Sequence, residues 1–324
     1  MDELKDELHL ENPVTFQEVT GLEEAPGKTK YKCRGCGYTS ENKWTHLFPR
    51  TGCPECGGFW NTKVLKGGSE GPGKSSLAAA KTAKAREYIS TGIPELDRVL
   101  GGGLVKDCAV MLGGPRGVGK TTLLVQVADG FCRQGTKRRA LFASGEENAD
   151  AIIQVAKRLE CFNENVEVTG NDGDVFKLVE RVQEEKFKML IVDSLQTAYC
   201  DDVSGDVGQT TMIDAVTNQL TWFAKEHKVC ILIICHLTMV GELAGSAKSQ
   251  HLVDALLRFD PFYDQEPFEG MDNIRVLSMD GKNRLGAANV RGFLDMTERG
   301  LKALTRYQQR ELVKRKHIKL EIVS

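Results

Sequence analysis

From Tyr88 onward, short apolar runs alternate with longer stretches in which apolar residues recur every three or four positions. The runs Cys108–Leu112, Arg139–Ala143, Met189–Val192, Val229–Cys235, Ala255–Phe259 and Ile274–Met279 read as strands. Helices are expected near Thr121–Arg133, Ala149–Leu159 and Met212–His227. Repeated strand and helix units of this kind predict an α/β fold built on a mostly parallel sheet, spanning residues 88–301. No repeat at solenoid periods is present.

The pattern breaks down upstream of Tyr88. Residues 65–87 contain Lys66-Gly67-Gly68-Ser69-Glu70-Gly71-Pro72-Gly73-Lys74-Ser75-Ser76, the composition of a flexible linker, and this marks a domain boundary. Residues 1–30 form an acidic lead-in ending in turn-rich sequence, and residues 302–324 form a basic tail. Net charge is only −2, but it is unevenly placed, so the overall balance excludes a uniformly basic DNA coat and nothing more. The longest strongly apolar run, Val229–Cys235, is far short of the roughly 20 residues needed to cross a bilayer. With no signal-peptide pattern at the start, a cytoplasmic location and no membrane partner are expected.

Residues 31–64 carry Cys33-x-x-Cys36 and Cys53-x-x-Cys56, with sixteen residues between the pairs. That spacing fits a tetrahedral four-cysteine zinc site, since each pair brings two thiolates to one point. Four cysteine ligands leave no open coordination position, so the zinc would be structural. The bland alternative is four unligated thiols, but so small a segment has few apolar residues to hold itself together without metal. The other cysteines are scattered through apolar or helical stretches and read as small buried hydrophobes in a reducing compartment.

Gly114, Pro115, Arg116, Gly117, Val118, Gly119, Lys120 and Thr121, with Thr122 next, satisfy the P-loop pattern between a strand and a helix. In that setting backbone N–H groups cradle the phosphates of ATP, Lys120 neutralises the β/γ oxygens and Thr121 ligates Mg²⁺. The run Met189-Leu190-Ile191-Val192-Asp193 places a carboxylate at a strand end, where it would support the Mg²⁺ shell. Ser144-Gly145-Glu146-Glu147 follows another strand. Glu146 could polarise the attacking water, or Glu146 and Glu147 could be first-turn acids on the helix dipole; local sequence leaves both readings open.

The stretch Thr91-Gly92-Ile93-Pro94-Glu95-Leu96-Asp97-Arg98-Val99-Leu100-Gly101-Gly102-Gly103-Leu104-Val105 closely resembles the opening of the RadA (Sms) ATPase core. Ser144-Gly145-Glu146-Glu147, Asp193-Ser194-Leu195-Gln196-Thr197, His236-Leu237-Thr238 and Lys282-Asn283-Arg284-Leu285-Gly286 resemble later RadA motifs in their usual order. The zinc segment is similar too. The resemblance covers roughly residues 31–302 and implies a RecA-like P-loop ATPase core preceded by a small zinc module. It further implies a hexameric ring related to DnaB-type helicases that moves on single-stranded or branched DNA, drives branch migration in recombination and repair, and works beside a RecA-type recombinase.

Carried over by position, Lys120 and Thr121 would bind phosphate and magnesium, Glu146 would activate water, Asp193 would support the metal and His236 would sense the γ-phosphate. Lys282 and Arg284 would reach the neighbouring subunit's ATP site as fingers supplied in trans. Tyr199–Gln209 and Met239–Ser249 are candidates for a DNA-facing channel, although acids without bases in the first suit an ordinary loop equally well. The chain departs from the family pattern at Leu285, where a larger aromatic is usual, at Met239, where a lysine is usual, and in a longer gap between the cysteine pairs. The family usually continues into a Lon-protease-like domain, whereas only Lys302–Ser324 follows here, as expected of a compact, phage-type version. A DnaB-type replicative helicase and a KaiC-like nucleotide switch that moves no DNA are the competing readings.

Overall fold

A computed structural model describes residues 30–33, 39–40 and 62–65, and residues 86–314 except 202, 204, 238–244, 263–272 and 280. The chain divides into two compact units, Met1–Lys81 and Thr82–Ser324. In the first unit, β1 (Lys30–Cys33) pairs antiparallel with both β2 (Thr39–Ser40) and β3 (Thr62–Leu65). Cys33 closes β1 opposite Thr62. Cys36, Cys53 and Cys56 lie outside the described residues.

The second unit is a nine-stranded sheet in the order β12-β11-β10-β9-β4-β8-β7-β5-β6. Its strands are β4 (Ala109–Gly114), β5 (Ala140–Ser144), β6 (Val166–Gly170), β7 (Met189–Asp193), β8 (Cys230–His236), β9 (Ala255–Pro261), β10 (Ile274–Met279), β11 (Val290–Thr297) and β12 (Gly300–Ala303). The strands from β9 across to β6 are mutually parallel, and β10, β11 and β12 extend the sheet antiparallel. The helices are α1 (Pro94–Leu100), α2 (Lys120–Arg133), α3 (Ala149–Arg158), α4 (Val175–Glu184), α5 (Thr210–His227), α6 (Ala247–Leu252) and α7 (Arg306–Lys314).

The central strands are apolar except where β5, β7 and β8 end in Ser144, Asp193 and His236, because helices cover both faces. Alternate residues of β4 show this: Val110 and Leu112 join Leu100, Leu123, Val127, Phe131 and Ile152 of α1, α2 and α3. Ala109 and Met111 join Leu178, Val182, Val216, Leu220 and Phe223 of α4 and α5 on the other face. Each such large side chain contributes about 1.5–3 kcal/mol on burial, so the two clusters dominate the stability of the unit.

Local chemistry sets the helix boundaries. Asn148 caps α3 by accepting from the Ala151 N–H at 2.9 Å, and Asp174 caps α4 by accepting from the Phe176 N–H at 3.0 Å. Pro94 opens α1, where its missing N–H is not needed.

The strands and helices expected from the sequence form within one or two residues of their expected bounds. In this unit sequence periodicity missed α1, β6, α4, α6, β11, β12 and α7. The sheet-edge strand β6 (VEVTG) is only half-buried throughout, so it lacks an apolar run. Lys302 and Ala303 belong to β12, and α7 docks through Leu312 against Ile274, Phe293 and Leu304. The start of the expected basic tail is thus part of the folded unit. Among the described residues no helix is long and apolar enough to cross a membrane.

Candidate nucleotide site

Four adjacent parallel strands, β4, β8, β7 and β5, end at the same edge of the sheet, and their register places Gly114 beside His236 and Ser144 beside Asp193. Parallel pairing therefore gathers four loops that are far apart in sequence. The loop after β4 runs through Gly114–Gly119 into α2. Gly119 takes φ +106°, and a Cβ there would lie 2.2 Å from the Met296 methyl, so the turn requires glycine. Arg275, on β10, donates from Nε to the Val118 carbonyl at 3.1 Å and braces the loop from the side.

Lys120 is buried, and its ammonium donates to the Gly114 and Pro115 carbonyls at 2.8 Å each. Burial lowers its pKa, while Asp193 and Glu146 pull it back up. Thr121 donates from Oγ1 to an Asp193 carboxylate oxygen at 2.8 Å. A hydroxyl and a carboxylate at this separation are the donor set a hard divalent cation takes beside phosphate oxygens. Asp193 is 4% exposed, and burial pushes its carboxyl up to about 6 despite the Thr121 bond.

Glu146 lies beside this pair. Its Oε1 meets His236 Nε2 at 2.7 Å and accepts the Ser194 hydroxyl. The His236 bond above all, with help from Ser194, holds the Glu146 carboxyl down at about 2. His236 is itself clamped, because its N–H donates to Gln196 Oε1 at 3.2 Å and its carbonyl accepts from Gln196 Nε2 at 3.3 Å. Its Nδ1 is buried and has no hydrogen-bond partner among the described residues. Thr122 accepts from Arg158 at 3.3 Å, on the side of α2 facing α3.

The site therefore unites Gly114, Pro115, Arg116, Gly117, Val118, Gly119, Lys120, Thr121, Asp193, Glu146 and His236. Lys282 and Arg284 are elsewhere. Asn283 bridges Ala255 at the start of β9, Arg284 Nη1 is 3.5 Å from the Asp254 carboxylate, and Asp254 binds Ala109 at the start of β4. The P-loop leaves the opposite end of β4, roughly 17 Å away at about 3.3 Å per residue. These two cations cannot serve their own P-loop.

Sequence reasoning assigned no role to Ser194, Gln196 or Arg275. Ser194 and Gln196 could have been suspected from their place after Asp193 at a strand end, whereas nothing local marks Arg275. Within Met239–Ser249, residues 239–244 lie outside the described residues, as do residues 202 and 204 of the other candidate loop.

The chain matches the family model described as AAA domain over residues 74–242, just over half its length. It is 33% identical over 284 residues to the DNA repair protein RadA of Aquifex aeolicus, covering 85% of this chain and 59% of that protein. It is 34% identical to the DNA repair protein RadA of Campylobacter jejuni, covering 86% and 61%. The chain thus spans about three fifths of the length of the curated relatives it matches. Its fold is also that of a DnaB-like replicative helicase solved with respect to its interactions with primase, with TM-score 0.57, 17% identity and coverage of 70% of this chain and 65% of that one.

Proposed function

The chain belongs to the AAA domain family, and from that premise we propose that it is an ATP-driven DNA motor of the RadA type, acting in recombination and repair. An ATP-hydrolysing core of RecA-like fold is the foundation. The observation that carries the reading further is the contact of Glu146 with both His236 and Ser194 beside the Thr121–Asp193 pair. A pure nucleotide switch does not require a poised carboxylate there.

ATP would lay its phosphates on the N–H groups of Gly117, Gly119 and Lys120, with Mg²⁺ held through Thr121 and supported by Asp193. Magnesium held there would neutralise negative charge on the phosphates. Lys120 would exchange its two loop carbonyls for phosphate oxygens. Glu146 in its double hydrogen bond is ionised but weakly basic. If His236 turns toward the γ-phosphate, Glu146 loses the bond that most depresses its pKa and becomes a better acceptor for the proton of the attacking water. Nucleotide sensing and base activation would then be one event.

Lys282 and Arg284 would complete the site of a neighbouring subunit, which is the reading consistent with their distance from their own P-loop. This requires a ring or filament, of which a hexamer is the form the family resemblance implies. Four cysteines, Cys33, Cys36, Cys53 and Cys56, would hold structural zinc. The strands β1, β2 and β3 have four, two and four residues, too few to stabilise themselves, which fits a metal-held module.

Steady-state ATP hydrolysis with and without single-stranded DNA, with Glu146→Gln as the control, tests the proposal. Stimulation by DNA that disappears in the variant supports a motor. Hydrolysis indifferent to DNA points to a KaiC-like switch, and unwinding of forks without branch migration points to a replicative helicase.

A further inference from the structure

The Lys282–Gly286 loop is held from behind by residues that no catalytic argument uses. Tyr88 donates its hydroxyl to the Leu285 carbonyl at 2.7 Å, and Arg86 Nη1 donates to the Arg284 carbonyl at 2.6 Å. Asn283 ties the loop internally, accepting at Oδ1 from the Leu285 and Gly286 N–H groups at 2.9 and 3.1 Å. The loop then rests on the turn that follows α1. A Cβ on Gly286 would lie 2.5 Å from Gly101 Cα, so two backbones touch there. Gly102, at φ +132°, lies under the Tyr88 ring, whose carbons are 3.1–3.3 Å from where its Cβ would be. Leu285 is buried in the main core beneath this contact.

We infer that Tyr88, seated on the Gly101–Gly102 turn, is a positioning residue for the trans fingers: it fixes the carbonyl next to Arg284 so that Lys282 and Arg284 project from one defined loop. The inference rests on the reading of Lys282 and Arg284 as fingers for a neighbouring subunit. Three features support it together. The Tyr88 and Arg86 contacts fall on the backbone of the loop and not on its cationic side chains, which in the isolated subunit are held by the His251 carbonyl (Lys282) and the Asp254 carboxylate (Arg284). Tyr88 is 38% exposed, so it is not itself a core residue. The glycine turn, which the sequence marks as a motif and the nucleotide site does not use, acquires a role as the socket for the ring and the loop.

A side chain at Gly102 would displace the ring. Loss of the hydroxyl alone removes one neutral hydrogen bond, which is equivalent to about a three- to tenfold effect on the population of the correctly placed loop.

The test separates finger donors from finger acceptors. Arg284→Ala subunits keep an ATP site but lack the finger. Lys120→Ala subunits lack an ATP site but keep the finger, so hydrolysis in the mixture comes from fingers given in trans. Subunits carrying Lys120→Ala together with Tyr88→Phe are then compared with Lys120→Ala alone as donors. Expected is a three- to tenfold lower kcat in the mixture with KM for ATP unchanged, a larger loss with Tyr88→Ala, and normal nucleotide binding by Tyr88→Phe alone. Equal rescue by the two donors, with mixed assembly verified by size, overturns the role of Tyr88 while leaving the fingers intact. No rescue by Lys120→Ala itself overturns the trans reading and this inference with it.

Discussion

Replacing Asp193 by Asn should make the nucleotide-free protein more stable while ending its activity. Asp193 is 4% exposed, and burial raises its carboxyl to about 6. Relative to the ordinary aspartate near ~3.9, and at ~1.4 kcal/mol per pH unit, the ionised form costs the fold about 3 kcal/mol. The sign follows from proton uptake: the native state binds the proton more tightly than the unfolded chain, so the penalty is absent below about pH 4 and complete above about pH 6. Asn keeps an acceptor for the Thr121 hydroxyl and carries no charge. Loss of the attraction between Asp193 and Lys120 offsets part of the gain, leaving about 2 kcal/mol. For a unit of this size that is a rise in melting temperature of roughly 4–8 °C.

Thermal unfolding followed by circular dichroism in EDTA, without nucleotide, at pH 8 and pH 5 measures it. The variant's advantage should be largest at pH 8 and fall to roughly half at pH 5, where the native carboxyl is mostly protonated. A variant no more stable than the parent at pH 8, or an advantage that grows on acidification, refutes the assignment of a buried, strained carboxylate. ATP hydrolysis should be lost at both pH values, because Asn is a poor partner for the magnesium shell.

Glu146→Gln should retain nucleotide binding, measured with a fluorescent ATP analogue, while phosphate release falls roughly 100-fold or more. The Glu146 carboxyl, held at about 2, remains ionised through the acid range. The acid limb of kcat/KM should therefore break near pH 6, where Asp193 protonates, and a break near pH 4 would count against these assignments. Ser194→Ala removes one of two hydrogen bonds to Glu146 and is expected to lower kcat by roughly three- to tenfold without weakening ATP binding. Chelation at neutral pH should release one zinc per chain, assayed by a colorimetric metal indicator, and protein retaining all four thiols reactive before chelation would exclude the site.

The nucleotide site was legible where its signal is local. A strand, a glycine-rich turn and a helix are contiguous in Ala109–Arg133, so the pattern Gly114–Thr121 suffices to find it. The strand-end acid Asp193 was likewise visible as a carboxylate closing an apolar run. For Glu146 the sequence left two readings open, and the proposed catalytic one rests on its contacts with Ser194 and His236, 48 and 90 positions away. No periodicity encodes such a meeting, which depends on the order β4-β8-β7-β5 in the sheet.

What the sequence determined by itself was therefore the set of parts: the alternating strand and helix pattern, the phosphate loop and the family motifs in order. These depend on the neighbours of each residue along the chain, through apolar periodicity and turn stereochemistry. Tertiary structure alone decided that four strand ends converge at one edge and that Lys282 and Arg284 stand at the other. It also decided that the glycines after α1 meet the Lys282–Gly286 loop and the Tyr88 ring. Those outcomes follow from how the two faces of one sheet are buried, because burial fixes strand order and register between segments that no local rule connects.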